Sequence, residues 1–384
     1  MRVGSFVESA RALYEVHLAV PSSPSFWRTS HHAAHTPGTV MPSEGRVLRQ
    51  RLAELLGKPN WRDMIAAVEP VPWPAKWTSP ALAHDVIMTS GVASGTPVHV
   101  MKSYLAPLGL AVADALDSPW VSLDLDDDDE ALALALGNPD AAAYRRIVST
   151  FAGCFSAVCL ASANEATIIN RRHGLRAVPV ANSITVPTFK AYQSRGTSLL
   201  FVGNLTYQPN IDAAVTLVEQ VQPASTARLG EVTPVVLAGN FDPEGPISNL
   251  VSRPHVEVLG FVPDLAPLYA QSAVVVVPLH AGAGTRIKLL EAFAHCVPVV
   301  TTPPGAAGLE VRDHDQILIG TTPQELADAV CEVLQSTDLA HSLTTAAYDF
   351  VTRTHSTSVV SNQILQFFEL ARTVGRISER VPLE

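Results

Sequence analysis

The chain has 384 residues, too many for one ordinary hydrophobic core, so two domains are expected. A content of 47% hydrophobic and 16% charged residues describes a folded globular protein and excludes a disordered one. The net charge of −10, from 26 basic and 36 acidic residues, comes with no basic concentration, which argues against nucleic acid as the main partner. Four cysteines (Cys154, Cys159, Cys296, Cys331) show neither CxxC pairing nor metal-ligand spacing with histidine. They read as buried free thiols of a reducing compartment. No apolar run approaches the ~18 residues of a membrane span. Glu8 and Glu15 interrupt the N-terminus, so no signal peptide is expected and the cytoplasm is the expected location.

In chain order, residues 20–50 are rich in Pro, Ser, His and Gly and read as a long loop or insertion. The pattern then predicts a helix over 44–56, a strand over 85–89, a helix over 105–116, a strand over 120–125 and a helix over 141–151. Strands over 157–161 and 177–180 follow, and then a linker over 188–197. From there strands and helices alternate, as in a parallel sheet covered on both faces. The strands fall at 198–203, 234–238, 256–259, 273–278, 297–301 and 316–319. The helices fall at 211–221, 265–270, 286–294 and 323–335. The last of these starts on Pro323, with Thr321 or Thr322 as N-cap. A final helix is expected over 358–374.

The most informative stretch runs from Pro278 to Thr302. A buried strand leads into a loop with Gly282 and Gly284, where a ligand can approach the backbone. A helix then opens at about Thr285, turning its free N–H groups and positive dipole end toward that loop. Arg286 and Lys288 fall in its first turn, where cations oppose the dipole unless an anion meets them. Glu291 comes one turn later. The pattern suits a diphosphate held by cations, with a carboxylate left for hydroxyl groups. A plain strand–loop–helix unit with two solvated cations is the alternative.

The segment Pro278-Leu-His-Ala-Gly-Ala-Gly-Thr-Arg-Ile-Lys-Leu-Leu-Glu-Ala292 resembles the donor-site signature of the family 4 glycosyltransferases. More narrowly, it resembles a bacterial branch with the pattern P-L-x-x-G-x-G-T-R-x-K-x-L-E-A. The resemblance extends to Leu200-Phe-Val-Gly-Asn-Leu-Thr-Tyr-Gln-Pro-Asn210, to Gly260-Phe-Val-Pro-Asp264 and to Val297–Thr302 with Gly305–Leu309. Several motifs in order over roughly 150 residues make the match specific. It implies an α/β fold of GT-B architecture, two facing Rossmann-like domains with an interdomain cleft. The expected division is an N-terminal acceptor-side domain over 1–190, a nucleotide-sugar domain over 195–357, and a C-terminal helix, 358–384, returning to the first domain. The opening residues, 1–20, resemble the family's first helix and second strand, so the first N-terminal strand is expected to be missing.

The resemblance also implies a retaining glycosyltransferase that moves a sugar from a nucleotide-diphosphate donor to an acceptor hydroxyl or amine. No cofactor and no metal are expected. Arg286 and Lys288 would stabilise the leaving diphosphate, because the loop from Gly203 to Asn210 lacks the cations that most family members carry there. Glu291 would accept both ribose hydroxyls. The first glutamate of the family's pair falls at Ala283, so contacts to the donor sugar there would come from the backbone. Gly203, Asn204, Asn210, Pro263, Asp264, His280, Gly282, Gly284 and Thr285 complete the expected donor site; Asn204 and Asn210 serve equally as turn formers. Expected partners are the donor and a glycan, lipid-linked or small-molecule acceptor. Peripheral membrane contact and homo-oligomerisation stay open.

Two further patterns need weighing. The acidic run Asp124-x-Asp126-Asp127-Asp128-Asp129-Glu130 follows a strand and could hold a divalent metal, take an acceptor-side role, or cap a helix on a solvated face. His31, His32 and His35 fall in the long loop, where metal capture is conceivable. Two other functions compete with transfer. One is a non-catalytic homologue acting as a sugar-nucleotide-binding or partner subunit. The other is an epimerase of nucleotide sugars, for which no acid/base pair can be placed.

Overall fold

A computed structural model describes residues 2–17, 20–21, 39–40, 80–190, 198–281 and 286–375. The helix expected over 44–56, the His31–His35 cluster and most of the 188–197 linker lie outside the described residues. The chain divides into two compact units, residues 1–181 with 361–384, and residues 182–360. The last helix, Thr357–Val374, begins in the second unit and contributes its residues from Ser361 onward to the first.

The first unit holds a parallel pair, β1 (Val20–Pro21) and β2 (Thr39–Val40), and a four-stranded sheet. That sheet consists of β3 (Val98–Met101), β4 (Val121–Asp126), β5 (Ala157–Leu160) and β6 (Val178–Pro179), all parallel and in sequential order. Its core gathers Leu123, Leu125, Ile147, Phe151, Leu160 and Ile169 from both strands and helices. Residues 85–89, expected as a strand, lie inside a helix, Pro80–Ser90. The β-branched pair there is only part of a helical face, since Ala83 and Val86 stand three apart and pack on Leu108, Val112 and Leu116. The strand falls instead at β3, just beyond Gly95 and Pro97.

One buried ion pair ties this unit together. Arg2, on the helix Arg2–Arg11, grips Asp124 of β4 with Nε to Oδ2 at 2.6 Å and a second guanidinium nitrogen to Oδ1 at 2.8 Å. Its remaining nitrogen donates to the Val180 carbonyl at 2.7 Å. Such a bidentate fork positions a helix against strand ends more sharply than apolar contact alone.

The second unit is a six-stranded parallel sheet in the order β12-β11-β10-β7-β8-β9. Its strands are β7 (Leu199–Val202), β8 (Val235–Ala238), β9 (Val256–Gly260), β10 (Val274–Val277), β11 (Val299–Thr301) and β12 (Leu318–Ile319). β7 and β10 are Leu-Leu-Phe-Val and four valines, all buried, as strands covered by helices on both faces must be. The helix expected over 211–221 starts earlier, at Gln208, and runs to Leu229 through a π-turn at Leu217–Val221. Pro223 explains the turn: it has no N–H for the Glu219 carbonyl, and its ring would crowd that carbonyl in a regular helix. The helix Pro323–Gln335 has the expected start, with Thr322 as N-cap and Glu325 closing a capping box.

Removing Asp124 takes the bidentate carboxylate from the buried Arg2 guanidinium and leaves Asp126, 3.4 Å from Nε, beside it. Asp124→Ala is expected to cost about 3–5 kcal/mol in denaturant unfolding of the first unit, and the double replacement Arg2→Met with Asp124→Leu markedly less. A cost below ~1 kcal/mol for the single change would show that the pair is not what holds the helix on the sheet.

Candidate functional site

The strand order reverses between β7 and β10. The chain runs outward from β7 through β8 and β9, then returns to β10 on the other side and runs out through β11 and β12. Loops leaving neighbouring strands in opposite directions open a crevice at their carboxyl ends, where ligands bind in open parallel sheets. A cavity of about 320 Å³ lies there. Its walls are the segment after β7 (Gly203, Asn204, Tyr207, Pro209, Asn210) and the segment after β10 (Leu279, Ala281, Arg286, Ile287, Lys288, Glu291).

Two glycines allow this closeness. A Cβ on Gly203 would stand 2.9 Å from Lys288 Nζ and 3.0 Å from Asn210 Nδ2, in the space that those side chains need. Gly239, at φ +150°, follows β8, and a Cβ there would fall 1.7 Å from the Gly203 carbonyl oxygen. The β7 loop can therefore lie against the β8 end only because Gly239 lacks a side chain, while Gly203 leaves the room that Lys288 and Asn210 occupy. On the far side, Thr301 donates to the Val277 carbonyl at 2.8 Å and Thr302 donates to the Leu279 carbonyl, fixing the start of the β10 loop to β11.

Lys288 is the centre of the site's electrostatics. Its ammonium donates to Asn210 Oδ1 at 2.8 Å and lies 4.4 Å above the Phe201 ring. Asn210 in turn donates to the Asn204 carbonyl at 2.9 Å, so one amide joins the cation to the β7 loop. Among the described residues no carboxylate comes within ion-pair distance of Lys288. Burial first, then the neighbouring Arg286 guanidinium, push its pKa from 10.5 down to about 7, against a pull from Glu291. Arg286 is directed at the loop after β11, donating to the Pro304 carbonyl at 3.1 and 3.3 Å. Glu291 accepts from Tyr269 Oη at 3.0 Å. Burial raises its pKa, while Tyr269 and Lys288 hold the shift in check.

The structure thus brings together Gly203, Asn204, Asn210, Arg286, Lys288 and Glu291 from two segments some 80 residues apart. Gly282, Ala283, Gly284 and Thr285 lie outside the described residues. The helix begins at Ile287 with Arg286 as its N-cap, so Lys288 but not Arg286 occupies the first turn. His280, expected to touch the sugar, is exposed and bonded through Nε2 to Thr216 Oγ1 at 3.0 Å; it does not line the cavity. Pro263 and Asp264 are exposed away from the cavity lining, and Asp264 accepts from the Ala266 N–H at 3.0 Å at the start of the helix Ala266–Gln271. Asn204 takes the turn role, accepting from the Thr206 N–H and hydroxyl, whereas Asn210 is the bridge.

The acidic run belongs to the first unit; of the readings left open for it, the helix cap is present at Asp128, but the face is not a solvated one. Asp124, Asp128 and Glu130 are buried. Asp126 pairs with Lys102 at 2.8 Å, Asp128 with Arg172 at 2.9 Å, and Glu130 with both Arg172 and Arg145. Asp128 also caps the next helix, accepting from the Ala131 N–H at 3.1 Å. Among the described residues, no three His, Cys, Asp or Glu side chains gather as a metal site. All four cysteines are free thiols. Sequence reasoning gave no role to Phe201 and Thr302, although both lie within its motifs, and missed Tyr269, which supports the site from outside them.

Residues 196–336 match the family model described as glycosyl transferases group 1. Sucrose-phosphate synthase from Thermosynechococcus elongatus superposes with a TM-score of 0.67 at 15% identity, over 96% of this chain and 92% of that one. Anabaena HepE in complex with UDP gives 0.66 at 15% identity, over 95% and 94%. S. aureus TarM, solved with fondaparinux, alpha-GlcNAc-glycerol and UDP, gives 0.64 at 13% identity over 75% of this chain. The match spans 58% of the TarM chain. The chain has the GT-B fold. No curated protein sequence matches it. Among the described residues no helix is long and apolar enough to cross a membrane.

Lys288 should cost stability in the empty protein. Unfolding returns it to its ordinary pKa of 10.5, so between pH 7 and 10.5 the unfolded chain holds more protons than the folded one. Stability therefore rises with pH across that window, and the full cost is felt below it. Lys288→Met is expected to raise stability at pH 7 by about 1–2 kcal/mol in thermal or denaturant unfolding. A loss of stability would show that the ammonium is a structural contact.

Proposed function

We propose that the chain is a glycosyltransferase of the family 4 type, which moves a sugar from a nucleotide-diphosphate donor to an acceptor hydroxyl or amine. The carrying observation is Lys288, held at the switch-point cavity by Asn210 without a carboxylate partner among the described residues, beside Arg286 and a carboxylate at Glu291. An anionic diphosphate in the cavity would supply the counter-charge that Lys288 lacks, and Glu291 would accept the ribose hydroxyls. Each such charged hydrogen bond is worth about 1.5–3 kcal/mol. The match of residues 196–336 to glycosyl transferases group 1 supports the same reading.

Catalysis of this kind rests on stabilising the leaving diphosphate and orienting the acceptor. Lys288, Arg286 and the N–H groups at the start of the helix Ile287–Ala294 supply positive charge where that anion would form. With the charge met by the protein, transfer without a metal is the reading we favour. Retention of anomeric configuration follows from the family 4 resemblance.

Calorimetry with UDP, GDP and dTDP tests the donor site; UDP comes first because TarM and HepE were each solved with it. One nucleotide is expected to bind, and Glu291→Ala to weaken it at least tenfold, about 1.4 kcal/mol. Binding indifferent to Glu291 would remove the ribose assignment. Turnover, once an acceptor is found, should persist in excess EDTA; its loss would contradict metal independence.

A further inference from the structure

We propose that Tyr269 is the positioning residue of the donor site, fixing the Glu291 carboxylate in the orientation that receives the ribose. The inference rests on the reading of Glu291 given above and extends it to a residue that touches no ligand. Tyr269 sits on the short helix Ala266–Gln271, 22 positions before Glu291, and its ring is 1% exposed. The ring cannot swing. It stacks on His295 with centroids 5.0 Å apart and planes 8° from parallel, and the His295 N–H donates to the Glu291 carbonyl at 3.0 Å. Tyr269 and Glu291 are thus held by the same stretch of backbone.

The phenol O–H donates to Oε2 of Glu291 at 3.0 Å, which leaves Oε1 for a ligand. A carboxylate one turn into a helix has several rotamers, and losing that freedom on binding would weaken affinity. Tyr269 removes it beforehand. The phenol also favours the ionised carboxylate, the form that accepts two hydroxyl groups. The charged and titratable groups facing Glu291 are Tyr269 and His295 on one side and Lys288, with Arg286 beyond it, on the other. Burial raises the Glu291 pKa, and the Tyr269 hydrogen bond opposes that shift more than Lys288 does.

Tyr269→Phe keeps the ring, the stack and the packing, and deletes only the donor. Two measurements read it. The Glu291 carboxyl is titrated by ¹³C NMR in wild type and variant, with Glu291→Gln assigning the signal. Dissociation constants are then measured for UDP and 2′,3′-dideoxy-UDP, with GDP and its dideoxy form if UDP is not the ligand.

The expected results are a Glu291 midpoint at higher pH in Tyr269→Phe and about tenfold weaker binding of the ribonucleotide. The dideoxy nucleotide should bind both proteins alike, because Tyr269 acts only through hydroxyl groups that it lacks. A merely structural tyrosine would weaken both nucleotides equally, and that outcome, or an unmoved midpoint, overturns the proposal. If no nucleoside diphosphate binds the wild type, the donor-site reading falls and the ribose role of Tyr269 with it; ribonucleotide binding to the wild type that Tyr269→Phe leaves unchanged overturns this proposal alone.

Discussion

The ammonium of Lys288 is the constraint on which the second unit's site turns. A lysine set against an amide oxygen and a phenyl face, with an arginine near it and no carboxylate beside it among the described residues, is an unfavourable arrangement in an empty protein. Folding alone gives no reason for it. On the function proposed above, an anion entering the cavity would supply the missing counter-charge, and function and stability would oppose each other at this one atom, as they commonly do at ligand sites.

The rest of the second unit can be understood as support for that cation. The reversal of strand order at β7 and β10 opens the crevice, and the all-buried Leu and Val strands make its floor rigid. Gly203 and Gly239 let the β7 loop lie close enough for Asn210 to reach Lys288. Thr301 and Thr302 fasten the outgoing β10 loop to β11. Glu291 then sits one turn beyond the cation on the same helix. The first unit uses charge differently: its carboxylates are matched by Arg2, Lys102, Arg145 and Arg172, which makes the acidic run a structural network.

Most of the second unit was legible in the sequence, because strands such as β7, β8 and β10 are unbroken apolar runs and its site residues lie in two contiguous motifs. The pairing of those motifs was not written locally. Asn210 meets Lys288, and Tyr269 meets Glu291, only through the parallel-sheet topology. A polar residue in a motif likewise says nothing about which way it faces, and His280 bonds to Thr216. The first unit was harder to read. Residues 85–89 are β-branched enough to suggest a strand, yet their neighbours at helical spacing find a partner surface on the helix Ala106–Ala115 and Leu116. The acidic run gave no hint that its four basic partners would converge from four distant segments.

The most direct measurement is a crystal structure of the protein with the nucleoside diphosphate that it binds. The diphosphate should lie between the Gly203 loop and Lys288, with Lys288 Nζ bonded to a phosphate oxygen and the ribose hydroxyls on Glu291 Oε1. Density for the nucleotide elsewhere, or in the cavity with Lys288 still bonded only to Asn210, would contradict the account.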